Sequence, residues 1–170
     1  MTNKRKVLIT GGAGLIGSIL INKLGDKYEF SSLDLRDADG IKSTVANLDD
    51  LDAITPAFDG VDTVIHLAAD RSPASAWESI LKNNFIATYN VFEASKRAGV
   101  KRVIFASSNH AEGGYYLDAP WKHVNEGNFD LLEQDNYERV TEKHMIRPDS
   151  YYGVAKAYGE ALGSYYNDYH

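Results

Sequence analysis

Four glycines fall within seven residues, Gly11-Gly12-Ala13-Gly14-Leu15-Ile16-Gly17, directly after the apolar run Val7-Leu8-Ile9-Thr10. The run reads as a buried strand. Leu15, Ile16, Ile19, Leu20 and Leu24 then recur at helical spacing, with Gly25 as the stop. A glycine-rich turn between a strand and a helix brings backbone N–H groups close together at a helix N-terminus, where the peptide dipoles also favour negative charge. That arrangement cradles a pyrophosphate. It demands a parallel βαβ unit around it, and so restricts the fold more than any other stretch of the chain.

The remaining pattern agrees. Strands are expected at Tyr28–Leu35, Lys42–Ala46, Thr63–Leu67 and Arg102–Ser107. Helices are expected at Asp49–Phe58, closed by Asp59-Gly60, at Ala76–Ala98 and at Tyr151–Tyr169. Alternating strands and helices with right-handed crossovers give an α/β fold: a Rossmann-like doubly wound parallel sheet with helices on both faces. The 170 residues suit a single dinucleotide-binding domain spanning 1–170. Gly113–Ser150 interrupts the rhythm, apart from a helical turn expected within Phe129–Gln134. Structureless connections beyond about 15 residues are uncommon in compact domains. The stretch reads either as a surface insertion or as a flap over a site.

Composition narrows the function. A net charge of −6 disfavours nucleic acid as a partner. The absence of cysteine removes disulfides, thiol nucleophiles and thiolate metal sites, and fits a reducing compartment. The five histidines lack metal-ligand spacing, so no metal is expected, and His66 within an apolar strand reads as a satisfied core residue. No apolar run reaches membrane-spanning length, and the residues after Lys4, Arg5 and Lys6 are too few for a signal core, which makes the cytoplasm the default compartment.

Two further features give the turn a chemistry. Asp34, 17 residues after Gly17, ends the second strand, where a carboxylate accepts hydrogen bonds from a ribose and repels a 2′-phosphate. This favours NAD over NADP, although Arg36 nearby is a residue type that pairs with phosphate. Far downstream, Tyr152-Gly-Val-Ala-Lys156 puts a phenol and an ammonium on one helix face. A free phenol titrates near ~10, so general-base action at neutrality needs about 4 kcal/mol of help, which a neighbouring ammonium can supply. Ser107 and Ser108, just after the fifth strand, stand where such sheets bind ligands and could orient a substrate oxygen.

Through Gly11–Gly17, Asp34, His66-Leu67-Ala68-Ala69, Asn84, Ser107-Ser108 and Tyr152-Gly-Val-Ala-Lys156, the whole chain resembles the N-terminal part of the extended short-chain dehydrogenase/reductases, the NAD-dependent epimerase/dehydratase group. The resemblance implies a catalytic serine–tyrosine–lysine set, Ser108, Tyr152 and Lys156. It implies NAD held by Gly11, Gly14, Leu15, Ile16, Gly17, Asp34, Asn47, Leu48, Leu67, Ala68, Ala69, Asn84, Tyr152 and Lys156. Many members carry an aspartate where Asn47 stands. Phe105-Ala106-Ser107-Ser108-Asn109-His110 looks most like uronate dehydrogenases, whereas nucleotide-sugar epimerases more often carry a small residue, threonine, valine and tyrosine after the serine. That likeness implies sugar contacts from Ser72, Ser108, Asn109, His110 and Tyr152. Read from the residues alone, Asn109 and His110 could equally cap the loop after the strand. It also implies a homodimer pairing the Ala76–Ala98 and Tyr151–Tyr169 helices.

Members of the group continue past the catalytic helix into a substrate lobe. For a sequence ending at His170, the resemblance leads to the expectation of a fragment or truncated product that lacks this lobe and the basic residue that would bind a uronate carboxylate. The expectation is an NAD-dependent oxidoreductase acting on a sugar hydroxyl. The alternatives are a nucleotide-sugar 4-epimerase or dehydratase that retains NAD, and a dinucleotide-binding fragment without catalysis.

Overall fold

The structure, a computed structural model, describes residues 4–132 and 139–170. Five parallel strands form one sheet: β1 (Arg5–Thr10), β2 (Tyr28–Asp34), β3 (Lys42–Val45), β4 (Thr63–His66) and β5 (Arg102–Phe105). Their order across the sheet is β3-β2-β1-β4-β5, with Val7 opposite Phe30 on one side and Thr63 on the other. The chain therefore winds outward one way from β1 and returns to wind the other way from β4. The crevice at that reversal, outside the carboxyl ends of β1 and β4, is where such sheets bind ligands.

Strand periodicity explains the two layers. Leu8, Leu33 and Val64 point to one face and pack with Leu48, Ile54, Phe58, Ala87, Val91 and Ala94. Val7, Ile9 and Phe30 point to the other, against Leu20, Ile21 and Leu24 of α1 (Leu15–Leu24). Each fully buried aliphatic side chain contributes about 2 kcal/mol. Gly25 follows α1 as expected but in a right-handed conformation, so it ends the helix without the left-handed cap that glycine often supplies.

Each expected strand except β1 overshoots at its carboxyl end. Leu35, Ala46, Leu67 and Ala106-Ser107 lie beyond the ladder. Single backbone bonds carry the alignment slightly further, from Ala46 N–H to Asp34 O and from Ala106 N–H to His66 O, and the chain then turns into the crevice wall. The expected helix over Asp49–Phe58 is shorter and tighter. Asp50 caps α2 (Leu51–Ile54) by accepting from Ala53 N–H, and Pro56 sits in a 3₁₀ turn, Thr55–Phe58. The long helix over Ala76–Ala98 is divided into α3 (Trp77–Ile80), a π turn (Leu81–Ile86) and α4 (Ala87–Arg97).

Between β5 and the last helix the chain makes short turns and α5 (Trp121–Asn125). A 3₁₀ turn covers Phe129–Leu131, and residues 133–134 of the turn expected there lie outside the described residues. The last helix, α6 (Tyr151–Tyr169), has the bounds expected from sequence, capped by the Ser150 hydroxyl accepting from Gly153 N–H.

His66, at the end of β4, is 1% exposed. Its ring nitrogens meet Thr10 Oγ1 at 2.6 Å and Thr88 Oγ1 at 3.1 Å, as a satisfied core histidine should. Burial, and then the charge of Lys156, pulls its pKa from 6.5 to about 3. The folded protein thus refuses a proton that the unfolded chain accepts below 6.5. Stability falls as pH drops through that window, by up to about 1.4 kcal/mol per pH unit from this group. Chemical denaturation of His66→Asn at pH 6.5 and pH 4.5 is expected to show a shallower loss than the parent; equal losses would contradict this.

Candidate functional site

The crevice has a volume of about 840 Å³, within the range of cofactor sites. One end is built by the glycine turn. Gly11 has φ of +76°, and a Cβ there would stand 2.9 Å from Ala68 N, so the turn is pressed against the loop leaving β4. A Cβ on Gly17 would lie 2.6 Å from Gly11 O and 2.7 Å from Gly12 Cα. α1 therefore starts in direct contact with the turn, leaving the backbone open to the crevice as a pyrophosphate cradle requires.

Asp34 lines the same wall. Its Oδ2 accepts from Ala13 N–H at 3.1 Å and its Oδ1 from Leu35 N–H at 2.7 Å, which fixes the carboxylate and leaves further lone pairs for ribose hydroxyls. Arg36 also lines the crevice, with its guanidinium donating to Ala13 O at 2.9 Å. Asn47 and Leu48 continue the wall; Asn90 Nδ2, buried, donates to Leu48 O and holds that segment in place. Leu67, Ala68 and Ala69 form the opposite side.

Tyr152 and Lys156 close the other end. Tyr152 is 9% exposed and Lys156 5%. The ammonium donates to Ala106 O at 2.7 Å and lies 5.5 Å from the centre of the Tyr152 ring and 4.8 Å from that of Phe105. Burial lowers the Lys156 pKa from 10.5 to about 8. Folding therefore disfavours the charged form, and stability gains as pH rises from about 8 to 10.5. Lys156→Met is expected to remain folded at pH 7, more stable by ~1 kcal/mol after allowing for the lost bond to Ala106, and to lack that alkaline rise. Denaturation at pH 7 and pH 10 measures both; marked destabilisation at pH 7 would contradict it.

Thus Gly11, Gly14, Leu15, Ile16, Gly17, Asp34, Asn47, Leu48, Leu67, Ala68, Ala69, Tyr152 and Lys156 all line one crevice. Asn84 stands apart from these residues. It is 3% exposed and absent from the lining; its amide accepts from Asp70 N–H and donates to Asp70 O. It braces the wall from behind, and Asn83 lines the crevice instead. Asp70, Arg71 and Ala106 also line it without having been singled out in the sequence. Asp70 directly follows the His66–Ala69 motif, which could have flagged it.

The expected sugar contacts are more dispersed. Ser107, rather than Ser108, lines the crevice, and its hydroxyl donates to Glu160. Ser108 Oγ accepts from His110 N–H at 3.2 Å and so caps a 3₁₀ turn, Asn109–Ala111. Ser72 Oγ accepts from Ala74 N–H. Asn109 faces a second cavity of about 610 Å³, walled by Tyr115, Tyr116, Trp121 and Phe129. No described residue of 113–150 lines the larger crevice. Among the described residues, no group of three or more His, Cys, Asp or Glu could hold a metal, and no helix is long and apolar enough to cross a membrane.

Residues 7–170 match the NAD dependent epimerase/dehydratase family. The chain belongs to this family. It is 38% identical over 165 residues to L-arabinose 1-dehydrogenase (NAD(P)(+)) of Haloferax volcanii, an alignment covering 97% of this chain and 62% of the relative. It is 36% identical to uronate dehydrogenase of Pseudomonas putida, covering 96% of this chain and 56% of the relative. A crystal structure of an Agrobacterium tumefaciens uronate dehydrogenase mutant complexed with NAD superposes with a TM-score of 0.80 at 31% identity, over 98% of this chain and 57% of that one. The chain thus spans somewhat over half the length of these relatives. The cofactor named by the family fits the crevice: the glycine turn leaves room only for backbone, and a fixed carboxylate stands on the same wall.

Proposed function

We propose that the protein is an NAD-dependent oxidoreductase acting on a sugar hydroxyl, with a uronate or an aldose as substrate. The observation that carries this is the single crevice that runs from the glycine turn and Asp34 to Tyr152 above the buried ammonium of Lys156. Gly11, Gly14 and Gly17 hold the pyrophosphate by backbone, Asp34 takes the adenosine ribose, and Leu67, Ala68 and Ala69 flank the dinucleotide. Bound NAD supplies a hydride acceptor. The chain's own residues supply the proton chemistry: Tyr152 accepts the proton of the substrate hydroxyl as the same carbon gives up hydride, and Lys156 stabilises the resulting charge distribution from below. The products would be the carbonyl compound, or a lactone where the carbon is anomeric, together with NADH and one proton. Ser108, Asn109, His110 and Ser72 recognise the sugar, since hydroxyl, amide and imidazole groups suit polyols.

Sugar dehydrogenases at 36–39% identity support this reading over the epimerase or dehydratase one, for which matching relatives stand at 28–29%. The deciding experiment incubates the protein with NAD and a panel of uronates, pentoses and hexoses and follows NADH absorbance. Turnover of a free sugar is expected. Absence of NADH from every sugar, with activity on a nucleotide sugar and cofactor retained through purification, would overturn the dehydrogenase reading.

The same proposal includes a cytoplasmic homodimer. Trp77, Leu81 and Tyr89 on the α3–α4 face and Tyr151, Val154 and Tyr165 on α6 are large side chains left exposed, a pattern that marks an interface. A monomer by sedimentation at micromolar concentration would remove the dimer.

A further inference from the structure

Arg147-Pro148-Asp149-Ser150 brings the chain back to α6 after the long excursion from β5. Proline restricts the residue before it to extended conformations, and this return leg runs alongside residues 110–114. Arg147 N–H donates to Ala111 O at 3.1 Å, Gly114 N–H to Arg147 O at 2.7 Å, and Asp149 N–H to His110 O at 3.3 Å. The lacing sets the Asp149 carboxylate against the His110 ring, with Nδ1 at 2.7 Å from Oδ2 and 3.0 Å from Oδ1. The Ser150 hydroxyl donates to Asp149 Oδ1 at 2.8 Å while it caps α6. Close packing holds both partners. A Cβ on Gly113 would overlap the Asp149 carboxylate, and one on Gly153 would overlap the His110 carbonyl. The imidazole stands edge-on to the Tyr152 ring, with centres 5.6 Å apart and planes at 74°.

We propose that Asp149 is a positioning residue for substrate recognition: its carboxylate fixes the orientation and tautomer of His110, so that Nε2 is the ring atom presented to the sugar beside Tyr152. This rests on the sugar-dehydrogenase reading above. A carboxylate only accepts, so Nδ1 carries the proton whether the ring is neutral or charged. Nε2 has no hydrogen-bond partner among the described residues, and the His110 side chain is 31% exposed. A ring free to flip would offer either nitrogen, and would lose ordering entropy on each binding event; the Asp149 contact removes that choice beforehand. Because recognition of a hydroxyl away from the reacting carbon contributes equally to ground and transition states, its loss belongs in KM rather than kcat.

The test uses Asp149→Asn, which is nearly isosteric and keeps an oxygen for Ser150. KM for the sugar is expected to rise about tenfold, with kcat within about threefold of the parent and NAD affinity unchanged. In a His110→Gln background the same substitution is expected to have no further effect on KM, because Asp149 would act only through the imidazole. An equal KM increase in both backgrounds, or none in either, overturns the proposal. Nitrogen-15 NMR of the ring gives an arm independent of turnover. The parent is expected to show the proton on Nδ1 in the neutral form, and Asp149→Asn a mixture of tautomers; a neutral parent ring protonated on Nε2 overturns the proposal. If no sugar is oxidised at all, the dehydrogenase reading fails while the NMR result still decides the His110–Asp149 relationship.

Discussion

Tyr152→Phe is expected to lower kcat at least about 10³-fold while NAD affinity stays within about threefold of the parent. Removing one oxygen leaves the ring in place against Ile80 and Ala155, so neither the fold nor the crevice should change. What disappears is the only phenol lining the crevice among the described residues. General acid–base catalysis by a positioned group contributes about 10²–10⁴-fold, and neither Lys156, tied to Ala106 O, nor exposed Ser107 offers a substitute of suitable basicity. Parallel measurement of NADH production and calorimetric NAD binding separates the chemistry from the cradle. A variant that kept most of its turnover would shift the base to another residue and remove the mechanism proposed here.

Gly17→Ala should produce the opposite division. The added methyl would lie 2.6–2.7 Å from Gly11 O, Gly12 Cα and Gly12 O, all of them backbone. No side chain can rotate away, so the start of α1 must separate from the turn. Overpacking of this kind costs about 1–3 kcal/mol, and the displaced N–H groups no longer converge on one anion. NAD affinity is expected to fall at least about 100-fold, with a melting temperature lower by several degrees. Calorimetry and thermal denaturation check both. Unchanged affinity would mean that the dinucleotide does not lie on this turn.

The dinucleotide half of the site was legible because its parts are local. Gly11 through Gly17 lie within one strand–turn–helix, and Asp34 ends the very next strand, so period and spacing alone bring them together. The Tyr152/Lys156 pair is also local, one turn apart on α6. Less legible were side chains whose bonds run to distant segments. Asn84 was picked out by resemblance, and its amide is bonded to Asp70, fourteen residues away on a different segment. The π turn that carries it has no signature in apolar spacing. Ser107 and Ser108 differ by one position, and only the bend at the end of β5 decides which hydroxyl faces the crevice. The His110–Asp149 contact spans 39 residues, across a stretch without periodicity, and nothing in either residue's neighbourhood announces the other.

The excursion between β5 and α6 leaves and re-enters through one narrow neck, where Gly114 and Arg147 share a backbone bond and Arg147 also pairs with Asp118. A protein joined this way can renovate its outboard portion freely. Added length beyond the neck would cost little while α6 keeps its footing, because closing a longer loop adds only about 0.6 kcal/mol per doubling. The outboard portion can therefore change in size while the neck keeps β5 and α6 in register.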